Sequence, residues 1–233
     1  MLFLSEREAR TFFFGEIKPG LQLVHDSKKT SYFIYVPASF AQGKKWPLVV
    51  GLAEWGSNTK DYIKRWATEA EKRGYVVLCP NWPKAKDSTP EMGDRWLLKV
   101  IRKVVAKYSI DKKRILLTGF ADGADYAYYL ALRYPKKFSA AAPIGGGLSR
   151  SYENLIYYGD IERHPLPFFV LNGKKDPFLE ERYITLDSTR KSAEKLRNRR
   201  LDVQYQEVEG LAHEYKDDFN LQILNWFESK WRN

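Results

Sequence analysis

Five consecutive residues, Gly119-Phe120-Ala121-Asp122-Gly123, carry the strongest chemical signal in the sequence. An apolar run over 114–118 precedes them, and helix-forming residues follow until Pro135 stops the helix. A strand that turns sharply into a helix needs glycine two places before and two places after the apex, because a side chain at either place would collide with the returning chain. Such a corner presents its apex side chain beside main-chain N–H groups at a helix start, where the dipole favours negative charge. Here the apex is Ala121, a methyl group. His213, accompanied in the chain only by His25 and His164, lies in the 210–215 loop after the last strand, and Asp176 lies in the 172–178 turn after a buried strand. A carboxylate that holds one imidazole nitrogen leaves the other to take up a proton. Taken singly, His213 reads as a surface histidine and Asp176 as a turn-stabilising aspartate.

The stretch from Arg114 to Pro135 resembles the nucleophile elbow of the α/β-hydrolases, in particular the esterase, polyester-depolymerase and feruloyl-esterase-like branch, which commonly reads G-F-S-D-G where this chain reads G-F-A-D-G. The resemblance implies a triad in the chain order nucleophile, acid, histidine. Ala121 then stands at the nucleophile position, Asp176 is the orienting carboxylate and His213 the general base. It also implies an oxyanion hole built from the N–H of Asp122 and a donor on the loop after Leu52. Relatives usually carry His-Gly on that loop, whereas this chain has Ala53-Glu54. Main-chain donors survive such a substitution, but a desolvated Glu54 carboxylate would oppose a developing oxyanion by about 3 kcal/mol, the effect of losing one donor. A Glu54 side chain turned to solvent would avoid that penalty.

The elements that position these residues follow from apolar patterning. Segments 21–24 and 30–36 flank a polar turn and predict an antiparallel entry hairpin. Residues 46–52, 74–80, 114–118, 139–147 and 167–173 read as buried strands without alternation, as a parallel sheet requires. Helices are expected over 59–73, 93–108, 185–199 and 221–231, a loop over 81–92 and an outer strand over 202–208. The 148–164 connection carries no clear period and is too short for a large lid. The expected architecture is one α/β-hydrolase domain over 1–233, a doubly wound and mainly parallel sheet with its site at the carboxyl ends of the strands.

Composition narrows the function classes. The net charge of +10 arises from 39 basic and 29 acidic residues spread through the helices, which reads as a solvated surface before it reads as attraction to a polyanion. No nucleic-acid motif accompanies the charge, no run is long enough for a membrane span, and neither paired histidines nor a cysteine cluster suggests a metal or other cofactor. Cys79 is the lone cysteine, so no internal disulfide forms. With no basic-then-apolar leader at the start, a cytoplasmic location is expected; the alternative is secretion after removal of a leader.

Trp55, Trp82, Phe178 and Tyr215 fall in loops after strands and are candidates for the rim of an open site, the alternative being that they seal the loop layer. In the resembling class, such sites take acylated sugars, feruloyl esters or polyesters. Loss of the nucleophile in a serine hydrolase costs roughly 10⁶ in turnover, so the expected function is a carboxylic-ester hydrolase inactive or strongly impaired as written. Two histories account for Ala121, an engineered inactivation or a natural pseudoenzyme. The rival from another class is a non-catalytic binding module for a small ligand, polysaccharide or protein partner.

Overall fold

The computed structural model describes residues 16–28, 30–81, 90–177 and 188–231, with only the backbone described for 90–92. Among the described residues, eight strands form one sheet: β1 (Gly20–His25), β2 (Ser31–Val36), β3 (Trp46–Leu52), β4 (Val76–Pro80), β5 (Ile110–Phe120), β6 (Ala140–Ile144), β7 (Phe168–Gly173) and β8 (Val203–Val208). Their spatial order is β1-β2-β4-β3-β5-β6-β7-β8. The β1–β2 hairpin joins antiparallel to β4, and every later pairing is parallel. The helices are α1 (Thr59–Arg73), α2 (Pro90–Lys107), α3 (Asp122–Arg133), α4 (Arg150–Glu153), α5 (Tyr158–Arg163), α6 (Thr189–Asn198) and α7 (Asp218–Trp231).

Every residue of β3, β4, β6 and β7 is buried, because successive side chains serve two helical layers. Leu48, Val50 and Leu117 point to the side that packs on α2, α3 and α6. Val49, Val77 and Leu116 point to the side covered by α1 and α7. The strands that were expected to be apolar throughout are apolar because each is covered twice. β8, at the sheet edge, is only half-buried.

Three helix starts differ from the sequence expectation. α2 begins at Pro90 rather than residue 93, since proline at a first helical position sacrifices no hydrogen bond and brings a preset φ. Of the expected 81–92 loop, 82–89 lies outside the described residues. α7 begins at Asp218 rather than 221, with an acidic residue in its first turn and Phe219 buried beneath it. α6 begins at Thr189, where the Ser188 hydroxyl accepts from the Lys191 N–H; 185–187 lies outside the described residues. The 148–164 connection folds into α4 and α5, too short to show a period in sequence. Lys195 pairs with Glu153 at 2.7 Å and Arg133 donates to the Leu155 carbonyl, which ties this connection to α6 and α3. Among the described residues, no helix is long and apolar enough to cross a membrane.

A polar hub fixes α3, the helix that leaves the elbow, to α2. Asp94 is fully buried and accepts from the hydroxyls of Tyr126, Tyr129 (2.6 Å) and Tyr134 (2.8 Å), with the Arg133 guanidinium 3.9 Å away. Removing the carboxylate strands buried hydroxyls and a partly buried cation. Asp94→Ala is therefore expected to cost about 3 kcal/mol or more in urea unfolding, and a loss below about 1 kcal/mol would contradict that role.

Candidate active site

The elbow is present in full geometry. β5 ends at Phe120, α3 begins at Asp122, and between them Ala121 takes φ 53° and ψ −120°. A non-glycine residue held there costs about 1–3 kcal/mol, which the surroundings must supply. They do so through the main chain: the Ala121 N–H donates to the Ile144 carbonyl at 3.0 Å, and its carbonyl accepts from Ala124 and Asp125. A Cβ on Gly119 would lie 2.1 Å from the Gly123 carbonyl oxygen, and one on Gly123 would lie 2.1 Å from that of Leu52 and 2.9 Å from that of Ala53. The second contact sets the loop after β3 directly against the start of α3. It thus brings the backbone of Ala53 and Glu54 beside Asp122, whose N–H, in the first turn, has no acceptor within its helix.

Two loops carry the ionisable groups. The turn after β7 and the loop after β8 are tied together by Lys174 N–H to the Val208 carbonyl (2.9 Å) and Lys175 N–H to that of Leu211 (2.8 Å). This stitching sets Asp176, which is buried, against His213, with Nδ1 2.8 Å from Oδ2. A carboxylate only accepts, so Nδ1 is the donor and Nε2 is the basic nitrogen. The imidazole lies on the Phe120 ring, centroids 4.9 Å apart and planes at 23°, which places it against the residue preceding the apex. Gly145, at the end of β6, closes the group: a Cβ there would lie 3.4 Å from His213 Cε1 and 3.5 Å from Asp176 Oδ2. The hydrogen bond that His213 donates to Asp176 raises the His213 pKa above its ordinary value. The negative charges of Asp176, Glu54 and Asp122 add to that effect, and burial opposes it.

The remaining candidates divide. Ala53 is fully buried and Asp122 exposed, while Glu54 is half-buried with its charge felt at His213. Loop 53–58 folds back on itself, Ser57 donating twice to the Glu54 carbonyl, and the half-buried Glu54 side chain keeps contact with solvent. Trp55 is 59% exposed on the same loop. Tyr215 is half-buried. Its ring packs edge-on against Phe120, Tyr62 and Phe219, its hydroxyl donates to Asn220, and burial holds its titration well above the ordinary phenol range. It is a buttress behind the Phe120–His213 stack. Trp82 and Phe178 lie outside the described residues. Thr118 spends its hydroxyl on the Ala142 carbonyl at 2.7 Å, and the buried Cys79 thiol is pushed far up by desolvation.

One residue at the site was not anticipated. Asp125, one turn into α3, accepts from the Gly147 N–H at 2.8 Å and pins the glycine turn that packs on the elbow. Burial, reinforced by repulsion from Asp122, pushes its carboxyl up to about 7. The available signal was an aspartate inside the otherwise apolar 123–132 face of a helix.

A mainly parallel sheet of this order, with an antiparallel hairpin at one edge and a strained corner between its fifth strand and the next helix, defines the α/β-hydrolase fold. Within that fold, the chain belongs to the esterase PHB depolymerase family, whose model matches residues 30–152, just over half of its length. It is similar to the bifunctional acetylxylan esterase/xylanase XynS20E of Neocallimastix patriciarum, at 25% identity over 192 residues, 80% of this chain and 24% of that protein. It is also similar to poly(3-hydroxyalkanoate) depolymerase C of Paucimonas lemoignei, at 37% identity over 70 residues, 30% of this chain and 17% of that protein. The chain thus spans a quarter or less of the length of these two relatives. Among solved structures, a thermostable esterase superposes with a TM-score of 0.68 at 24% identity, over 90% of this chain and 62% of that one. An S-formylglutathione hydrolase from Agrobacterium tumefaciens gives 0.69 at 17% identity, over 90% and 94%. At these identities the superpositions show the fold alone.

Proposed function

We propose that this chain is a carboxylic-ester hydrolase scaffold that binds its ester but lacks the attacking oxygen, Ala121 standing at the nucleophile position. The observation that carries the reading is the 2.8 Å Asp176–His213 pair set beside a strained apex that still has its elbow geometry. In this reading the ester carbonyl lies over Ala121, with the N–H of Asp122 and a main-chain donor of the 53–54 segment as oxyanion donors. Asp176 holds His213 in the tautomer with Nε2 basic, ready to take a hydroxyl proton that Ala121 does not offer. Water activated by His213 then gives only the residual hydrolysis expected without a nucleophile. The family and its ester-acting relatives support the reaction class, and an acylated sugar, feruloyl ester or polyester is the substrate class proposed.

The test follows nitrophenol release and binding heat together while a short-chain nitrophenyl ester is titrated into the chain. Saturable binding without a burst of nitrophenol is expected. A burst on the unaltered chain would contradict the mechanism, and absence of binding would contradict a retained cleft.

One observation favours the binding module as second reading. Glu54 belongs to the segment proposed to supply an oxyanion donor, and its charge reaches His213. Its effect is measurable in the Ala121→Ser background. General-base catalysis needs neutral imidazole, so a raised His213 pKa moves the rise of kcat/KM to a pH above the ordinary imidazole value near 6.5. Glu54→Gln removes one negative neighbour and is expected to shift that rise to lower pH; an unshifted profile would show that the carboxylate does not act on the base.

A further inference from the structure

At the pole opposite the elbow, the amino ends of the parallel strands frame a second concavity. Ala53, Ala121 and Asp176 follow the carboxyl ends of β3, β5 and β7. Trp46 opens β3, Tyr75 precedes β4 and Arg114 lies early in β5, and these line a cavity of about 260 Å³. It is closed by the loop before β3, the end of α1 and the end of α7. We infer that this cavity binds a small sugar phosphate, a phosphomonoester dianion carried on a polyhydroxylated ring.

The charge balance selects the dianion. Lys44, Lys45, Lys72, Arg73 and Arg114 line the cavity together with Glu228. Three of these cations are already paired: Lys72 with Glu69 at 3.1 Å, Arg73 with both Glu69 (3.1 Å) and Glu228 (3.2 Å), and Arg114 with Asp111 at 2.8 Å. Three of the five cations thus engage three carboxylates. Lys44 and Lys45 have no carboxylate within ion-pair distance among the described residues. Lys72 and Arg73 also have an ordinary reason to be there, since cations at the end of α1 complement its dipole. Lys44, Lys45 and Arg114 end no helix, so that reason does not extend to them. Two uncompensated charges match a phosphomonoester, which carries close to two negative charges at neutral pH, better than a single carboxylate. Lysine ammonium groups bind phosphate as movable point charges.

The walls select the ring. The aromatic faces are closed: Trp46 and Tyr75 are buried, and the Arg114 guanidinium lies 4.9 Å from the Trp231 ring centroid. An aromatic ligand therefore finds no open face to stack on. Ser39 offers a hydroxyl to a ligand rich in hydroxyls. The volume falls below the about 300–1,000 Å³ of drug-sized sites, which suits one sugar ring and not a polymer segment. Arg73 is braced by Asn225 (2.7 Å) and Arg114 by the Lys45 carbonyl (3.0 Å), so this part of the wall is fixed before a ligand arrives.

Calorimetric titration of the full chain with glucose 6-phosphate, inorganic phosphate and glucose tests the inference. One glucose 6-phosphate per chain is expected, bound at least about tenfold more tightly than inorganic phosphate, with no binding of glucose. Lys44 and Lys45 are exposed, so Lys44→Ala/Lys45→Ala leaves the fold intact. It should weaken glucose 6-phosphate binding by roughly a hundredfold, about tenfold for each ammonium group removed. His213→Ala should leave that affinity unchanged. Unaltered affinity in the double lysine variant, no saturable binding at millimolar ligand, glucose binding as well as its phosphate, or loss of binding in His213→Ala would each overturn it. The last outcome would place the ligand in the elbow cleft, so failure here is distinguishable from failure of the esterase reading.

Discussion

Ala121→Ser is expected to raise kcat/KM for a short-chain nitrophenyl ester on the order of 10⁴–10⁶-fold over the unaltered chain. The size follows from how little else is missing. The apex already holds φ 53°, so a serine there enters a backbone built for it and has no folding cost to add. His213 is already oriented by Asp176 at 2.8 Å and rests on Phe120, which Tyr215 buttresses from behind. The hydroxyl therefore meets a base whose tautomer and ring plane are set. Initial rates with both proteins, and with Ala121→Ser/His213→Ala, measure the effect. The double variant should fall back to the level of the unaltered chain, because a serine without its base is a poor nucleophile.

The second large effect is on stability. Gly119→Ala and Gly123→Ala are each expected to lose more than about 3 kcal/mol in urea unfolding, above the usual cost of overpacking. Each new methyl would stand 2.1 Å from a carbonyl oxygen of the main chain, where no side-chain rotation relieves the overlap. Relief requires α3 to move away from β3 and β5, which would also open the Asp94 hub at the other side of the helix. A loss below about 1 kcal/mol in either variant would show that the corner is looser than its geometry indicates.

These two effects rest on the part of the protein that was most legible in its sequence. Glycines at 119 and 123 around an apex, an apolar run before them and Pro135 after them constrain one another so tightly that strand, corner and helix could be read directly. The buried strands were legible because double coverage removes alternation. The site was legible only where loop residues had a place in a known chain order, as Asp176 and His213 did. What was not legible depends on contacts between distant segments. Tyr215 follows His213 by two positions, and its packing against Tyr62, Phe120 and Phe219 from three other elements is not visible in the sequence. Asp125 and Asp94 are ordinary helix aspartates until the Gly147 N–H and the tyrosine hydroxyls are brought to them by the fold.

The substrate-class statement rests on relatives of which this chain spans only a fraction, whereas the chemical statement rests on residues 121, 176 and 213. Intact-mass analysis after exposure to an alkyl fluorophosphonate, which transfers a phosphonyl group only to an activated hydroxyl, bears on it most directly. The account predicts a single adduct mapping to position 121 in Ala121→Ser, none in the unaltered chain, and none in Ala121→Ser/His213→Ala. An adduct on the unaltered chain, or an Ala121→Ser variant that stays unlabelled while folded, would contradict it.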